Sequence, residues 1–223
     1  MTDDTRNILP PSSGPALYTI GCSNGSIDDL VVELKRFGLT AVADIRSIPY
    51  SAHTPWFGRE SLEKTLQSFG LMYVYLGAEF GAMRTKPERM QDETDSIPVT
   101  DGIVDFVKVR RTEAFLRGVA RIKNGLAKGY RIALMCTELE PDRCHRSVMV
   151  TPAFADTMPI GHILRNGEVL TQGDVDRMLM GDDGKYQTSL FGESPLDQAY
   201  KDANHKIGIR ISKKRNQRDE RQF

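Results

Sequence analysis

The sequence predicts an α/β fold, a three-layer sandwich with a mostly parallel, Rossmann-like sheet. Two observations predict it. Short apolar runs alternate with stretches of helical periodicity, so successive strands need crossover connections and helices cover both faces. Each of the four longer runs also opens into a cluster of small polar residues, the pattern of loops at the carboxyl edge of such a sheet. A length of 223 residues suits one domain with a proper core.

The elements follow in order. Residues 1–15 are acidic and proline-rich, a flexible lead-in unlike a signal peptide. "ALYTIG" (16–21) is a short apolar strand. Ser26 then caps an amphipathic helix, with Asp29 as its capping-box partner; Ile27, Leu30, Val31, Leu34 and Phe37 share a face and Gly38 ends it. "TAVADI" (40–45) is a second buried strand, followed by the long loop "RSIPYSAHTPWFG". Residues 59–69 repeat the helical pattern and "LMYVYL" (71–76) the strand pattern, with Gly70 and Gly77 as turn residues. Residues 77–100 read as an excursion with little regular structure. Phe115, Leu116, Val119, Ile122 and Leu126 mark a helix closed by Gly129, and "YRIALMC" (130–136) is a core strand. A helix from about 145 to 156 and a last strand, "GHIL" (161–164), complete a domain spanning 16–180. The polar, finally basic segment 181–223 wraps or trails it.

Composition excludes several classes of function. With 30 basic and 30 acidic residues the chain carries no net charge, so any nucleic-acid contact must come from a local patch. No apolar run reaches 18 residues, which argues against a membrane span. Three cysteines without a secretion signal point to a reducing compartment, the cytoplasm.

Four polar clusters fall at the carboxyl ends of the expected strands: Cys22-Ser23-Asn24, Asp44-Ile45-Arg46-Ser47, Gly77-Ala78-Glu79, and Cys136-Thr137-Glu138 leading to Cys144-His145-Arg146. Their common edge suggests one shared site. "CTELEPDRCHRS" (136–147) is the most unusual stretch, and its residues leave several arrangements open. Cys144, His145 and Arg146 at a helix N-terminus would favour a thiolate and a bound or internal anion, with Arg46 reaching the same anion. A zinc site would use Cys136, Cys144 and His145, with His162 or Cys22 as a fourth ligand, although the spacing matches no familiar knuckle. The bland arrangement makes Cys136 a core residue and pairs Arg46 with Glu138. In the loop before residue 59, Tyr50, His53, Trp56, Phe57 and Arg59 can stack a base and contact phosphate, or plug the sheet edge.

Three segments resemble a known family. "YTIGCSN" is similar to the Thr-Ile-Gly-His-Ser-Asn opening of domain of unknown function 488 (DUF488), "VADIRSIPYS" to its Val-Asp-Val-Arg-Ser segment, and "CTELEPDRCHRS" to its Cys-x-Glu…Cys-His-Arg signature. Cys22 stands where that family usually has His. The resemblance implies fold and site but no activity and no cofactor. Further along, "QTSLF" (Gln187–Phe191) resembles the bacterial sliding-clamp-binding pentapeptide, with Gln187, Leu190 and Phe191 as the partner-binding positions. The basic tail beyond it, including Lys206, Arg210 and Lys213, offers salt-sensitive phosphate contacts.

The resulting expectation is an enzyme acting on nucleic acid or a nucleotide in DNA metabolism, such as DNA repair. In it Cys144, His145, Glu138 and Asp44 carry the chemistry, while Cys22, Ser23, Asn24, Arg46, Ser47 and Arg146 hold an anionic substrate. Arg146→Ala is expected to leave the fold intact. The alternatives are a non-catalytic nucleotide- or anion-binding adaptor docked on the clamp, and a zinc-stabilised domain.

Overall fold

The computed structural model describes residues 17–23, 25–50, 52–83, 98–181, 184–188 and 192–211. Among these residues six strands form one sheet in the order β3-β2-β6-β1-β7-β8. These are β1 (Leu17–Gly21), β2 (Ala41–Asp44), β3 (Met72–Tyr75), β6 (Ile132–Cys136), β7 (Ile160–Ile163) and β8 (Val169–Thr171). All neighbours are parallel except β7 and β8. The expected α/β sandwich with a mostly parallel sheet is therefore the observed architecture.

Two cores form, one on each face. On one side α1 (Ile27–Arg36) and α2 (Arg59–Ser68) cover Tyr18, Ile20, Val42 and Ala133. On the other, α5 (Glu113–Ala127) covers Leu17, Ala43, Leu134 and Cys136, together with Val148, Met149 and Phe154. The neighbouring strands β2 and β6 are buried on both faces, which explains why they read as continuous apolar runs. The α1 start is as the sequence indicates: the Ser26 side chain accepts from the Asp29 N–H and the Asp29 carboxylate accepts from the Ser26 N–H. Such caps typically contribute about 1 kcal/mol. Within α5 the buried stripe runs through Phe115, Gly118 and Ile122, while Leu116, expected on that face, is 54% exposed. One residue along a helix is a rotation of about 100°, enough to carry it off the stripe.

The observed chain differs from the sequence reading in three places. β7 is not the last strand, because a turn at Asn166-Gly167 returns the chain as antiparallel β8. The stretch from 77 opens with a short helix, α3 (Gly77–Phe80), and ends at β4 (Val99–Thr100), which pairs with β5 (Ile103–Val104); residues 84–97 lie outside the described set. The hairpin leads into α4 (Phe106–Val109). Finally, the helix expected from 145 is a π-helical turn (Arg146–Val150) followed by α6 (Pro152–Ala155). Pro152 has no N–H to continue an α-helical ladder. The Thr151 N–H instead bonds five residues back, to the Arg146 carbonyl at 2.8 Å.

The described part of the polar segment also carries regular structure. After α7 (Gln172–Met180), α8 (Pro195–Ile207) buries Ala199 and Ala203, and Ile209 and Ile211 pack on the α5-side core. No helix among the described residues is long and apolar enough to cross a membrane.

Candidate functional site

β1 and β6 are neighbours whose outgoing helices, α1 and the 146–155 turns, lie on opposite faces of the sheet. Such a reversal opens a crevice at the carboxyl ends of the strands. Here the loop after β6 partly bridges it: the Cys22 and Ser23 N–H groups donate to the Cys136 and Thr137 carbonyls, both at 2.8 Å. A Cβ on Gly21 would lie 2.1 Å from the Glu138 carbonyl oxygen, so only glycine lets this loop cross β1. Ser23, at φ 31°, adopts a left-handed conformation uncommon outside glycine, and such strain concentrates at binding sites.

Beside this bridge lies an open cleft of about 520 Å³, lined by Cys22, Ser23, Arg46, Tyr50, His53, Trp56 and Thr137 among others. Its floor is a fixed ion pair. Arg46 grips Asp44 with both arms of its fork, Nε to Oδ1 at 2.9 Å and Nη2 to Oδ2 at 2.6 Å, and donates to the Phe57 carbonyl at 2.8 Å. Asp44 also accepts from the Tyr73 hydroxyl at 2.9 Å and from the Arg46 N–H at 3.1 Å. A fully buried carboxylate needs this degree of pairing, and a bidentate guanidinium supplies it. Burial, then the Asp44 charge, push the Tyr73 phenol up, so it stays a donor.

The long loop divides between the two roles its sequence allowed. Phe57 is 1% exposed and plugs the α1-side core, while Tyr50 and Trp56 remain 70% and 41% exposed. The Trp56 indole N–H donates to the Gly25 carbonyl at 3.0 Å, which anchors the loop across the cleft mouth. Arg59 stacks on the Tyr75 ring, 4.7 Å from its centroid. Gly77, read from sequence as a turn residue, is a packing glycine: a Cβ there would lie 2.2 Å from the Arg46 carbonyl oxygen.

The signature residues lie elsewhere. Cys136 and Cys144 belong to the α5-side core, Cys22 to the opposite one. Burial pushes the Cys22 thiol up to about 11, so it is protonated at neutral pH. His145 joins the other two thiols, its Nδ1 3.6 Å from Cys136 Sγ and its Nε2 3.3 Å from the Ile45 carbonyl oxygen. A carbonyl only accepts, so Nε2 carries a hydrogen, and Nδ1 is the ring nitrogen that faces the thiols. The hydrogen bond that Cys136 donates to Cys144, then burial, push Cys136 well up. Burial opposes ionisation of Cys144 as well, but hydrogen bonds from Cys136 and His145 and the Arg146 charge outweigh it and pull Cys144 down.

Arg146 is fully buried. Its terminal nitrogens donate to the Glu138 and Leu139 carbonyls and its Nε to the Thr19 hydroxyl at 3.2 Å. Thr19 in turn meets His162 Nδ1 at 2.9 Å, and His162 Nε2 meets Gln172 Oε1 at 3.1 Å. Burial, then the Arg146 charge, push His162 down to about 4. Both of its ring nitrogens are thus engaged.

Of the residues singled out from sequence, the cleft brings together Cys22, Ser23, Arg46, Tyr50, His53 and Trp56, with Asp44 beneath Arg46. Ser47 instead holds the Met83 N–H at 2.8 Å, and Glu79 is buried against Arg121. Glu138 is exposed, and its expected pairing with Arg46 does not form because Asp44 takes that place. Asn24 lies outside the described residues, as do Leu190 and Phe191 of the clamp-like peptide and Lys213 of the basic tail. Tyr73 and Gln172 were not singled out from sequence, and His162 was read as a possible zinc ligand rather than as the partner of Thr19 and Gln172; alternation along β3 gives a sequence hint for Tyr73.

Residues 26–151 match the family described as Domain of unknown function DUF488, more than half of the chain. The chain belongs to the DUF488 family. The match covers the Asp44–Arg46 pair and the Cys136–Arg146 segment of this DUF488 protein and begins four residues after Cys22. No curated protein and no solved structure matches the chain.

Proposed function

We propose that this DUF488 protein binds a nucleotide, free or as an exposed unit of a nucleic-acid strand, in the cleft at the carboxyl edge. The observation that carries the reading is the meeting of exposed Tyr50, His53 and Trp56 with Arg46 and the Ser23 and Thr137 hydroxyls in one cleft. Aromatic faces accept any base, and stacking contributes about 1–3 kcal/mol per base. Arg46 aids as a hydrogen-bond donor rather than a free charge, since Asp44 neutralises it.

Binding is supported better than turnover. Asp44 is engaged by Arg46 and Tyr73, Cys144 and His145 sit with the α5-side core residues, and the Cys22 thiol is protonated. Within this reading the protein is a nucleotide-binding adaptor, and Gln187–Phe191 would dock it on a sliding clamp in DNA metabolism; Gln187 itself is exposed.

Trp56 is the only tryptophan, so its fluorescence reports on this cleft alone. Titration with mononucleotides and a short single-stranded oligonucleotide is expected to give a saturable change, weakened by salt and lost in His53→Ala. No saturable change with either ligand would overturn the proposal. Hydrolysis or transfer on a bound nucleotide, lost in Cys22→Ser, would instead make the cleft an active site.

A further inference from the structure

Behind the cleft floor, the chain neighbours of Arg46 and Thr137 close on a second centre. Cys136 Sγ, Cys144 Sγ and a His145 ring nitrogen all lie within 4.8 Å of one another. Metal bonds of about 2.3 Å to sulfur and about 2.0–2.1 Å to nitrogen, at a tetrahedral angle, place two ligand atoms about 3.5 Å apart. The Cys136 Sγ to His145 Nδ1 separation is 3.6 Å. The ring is oriented as a ligand should be, with Nε2–H held by the Ile45 carbonyl and Nδ1 turned inward. The Arg146 N–H points at Cys144 Sγ from 3.5 Å, a donor that steadies a thiolate ligand. The π-helical turn starts at Arg146 itself, and such turns recur at functional sites.

We infer that Cys136, Cys144 and His145 form a three-ligand site for a thiophilic cation, Zn²⁺ foremost. Two thiolates and an imidazole are a soft set that selects such ions over magnesium or calcium. A fourth protein ligand is not at hand among the described residues. Cys22 lies in the opposite core, and His162 has both nitrogens engaged by Thr19 and Gln172. The fourth position therefore falls to solvent or a small ligand, approached from half-buried His145, since both thiols are almost fully enclosed. The cation would pin the 137–144 loop to the ends of β6 and β2. Its binding displaces protons from the thiols, so it strengthens as pH rises.

The test uses the full-length, reduced protein with Co²⁺ as a spectroscopic substitute. One equivalent is expected to give a thiolate-to-cobalt charge-transfer band and visible bands of a four-coordinate ion, all displaced by one equivalent of Zn²⁺. The chain has three cysteines, so a band that survives in Cys22→Ser comes from the Cys136–Cys144 pair, and an intensity expected of two thiolates assigns it to both. That assignment does not depend on whether Cys144→Ser folds. His145→Gln is expected to shift the visible bands. Absence of any charge-transfer band in the wild-type protein, or its loss in Cys22→Ser, would overturn the site.

Discussion

On the α5 side of the sheet, Arg146 is fully enclosed and gives its donors to the protein's own carbonyls; on the other side, Tyr50 keeps 70% of its surface in water. The first region contains the most unusual residues of the sequence, Cys136, Cys144, His145 and Arg146. The second contains an ordinary-looking loop. The contrast teaches that a signature can be architectural. In this chain the Cys-His-Arg segment shapes the loop after β6, and that loop forms part of the cleft wall through Thr137. The exposed aromatic rings that line the cleft, Tyr50 and Trp56, come from the loop before α2.

The strongest way to break this contrast is Arg146→Leu. Removing a buried charge network typically costs about 3–5 kcal/mol, and here two loop carbonyls lose their donors. Urea unfolding should show a loss of that size. This replaces the expectation from sequence that Arg146→Ala leaves the fold intact; a loss below about 1 kcal/mol would return the arginine to the surface role.

A second test uses pH. The folded His162 titrates at about 4, below its ordinary 6.5, so between those values the unfolded chain binds more protons. Its contribution to stability is therefore full above pH 6.5 and lost as pH falls to 4, up to about 3 kcal/mol. His162→Gln should remove that part of the pH dependence, measured as the difference between the two denaturation profiles. Equal slopes would show that the ring is already hydrated and that the Arg146–Thr19–His162 chain is open.

The smallest effect on stability sharpens the other half of the contrast. Tyr50→Ala should change stability by no more than about 0.5 kcal/mol. The same variant should weaken nucleotide binding about tenfold, read from Trp56 fluorescence, if its ring stacks with an ordinary strength of 1–3 kcal/mol. A stability loss above 1 kcal/mol would place Tyr50 with Phe57 as part of the plug.

The sheet was legible because β2 and β6, buried on both faces, read as unbroken apolar runs, and because Gly38 and Gly129 end their helices at positive φ. β8 left a signal in Asn166-Gly167, a hairpin dipeptide, and α7 and α8 left theirs in the caps Thr171–Asp174 and Ser194–Asp197. The α8 face remained obscure because it buries alanines, which carry little hydrophobic contrast. The site was legible as an edge but not as a division of labour. Whether Arg46 meets Asp44 or Glu138 depends on the two-residue reach across the end of β2, and the burial of Arg146 depends on Thr19, far away in sequence. Neither is written in spacing.

The π-helical turn has a consequence for how its two ends are aimed. A helix in a single register would be a rigid screw, fixing the angle between His145 and the α6 residue Phe154 that packs in the core. The bond from Thr151 to Arg146 inserts one extra residue, a slip of about 100° between the two ends. The residues after Thr151 therefore follow a different helical phase from His145, and each end meets its own partners.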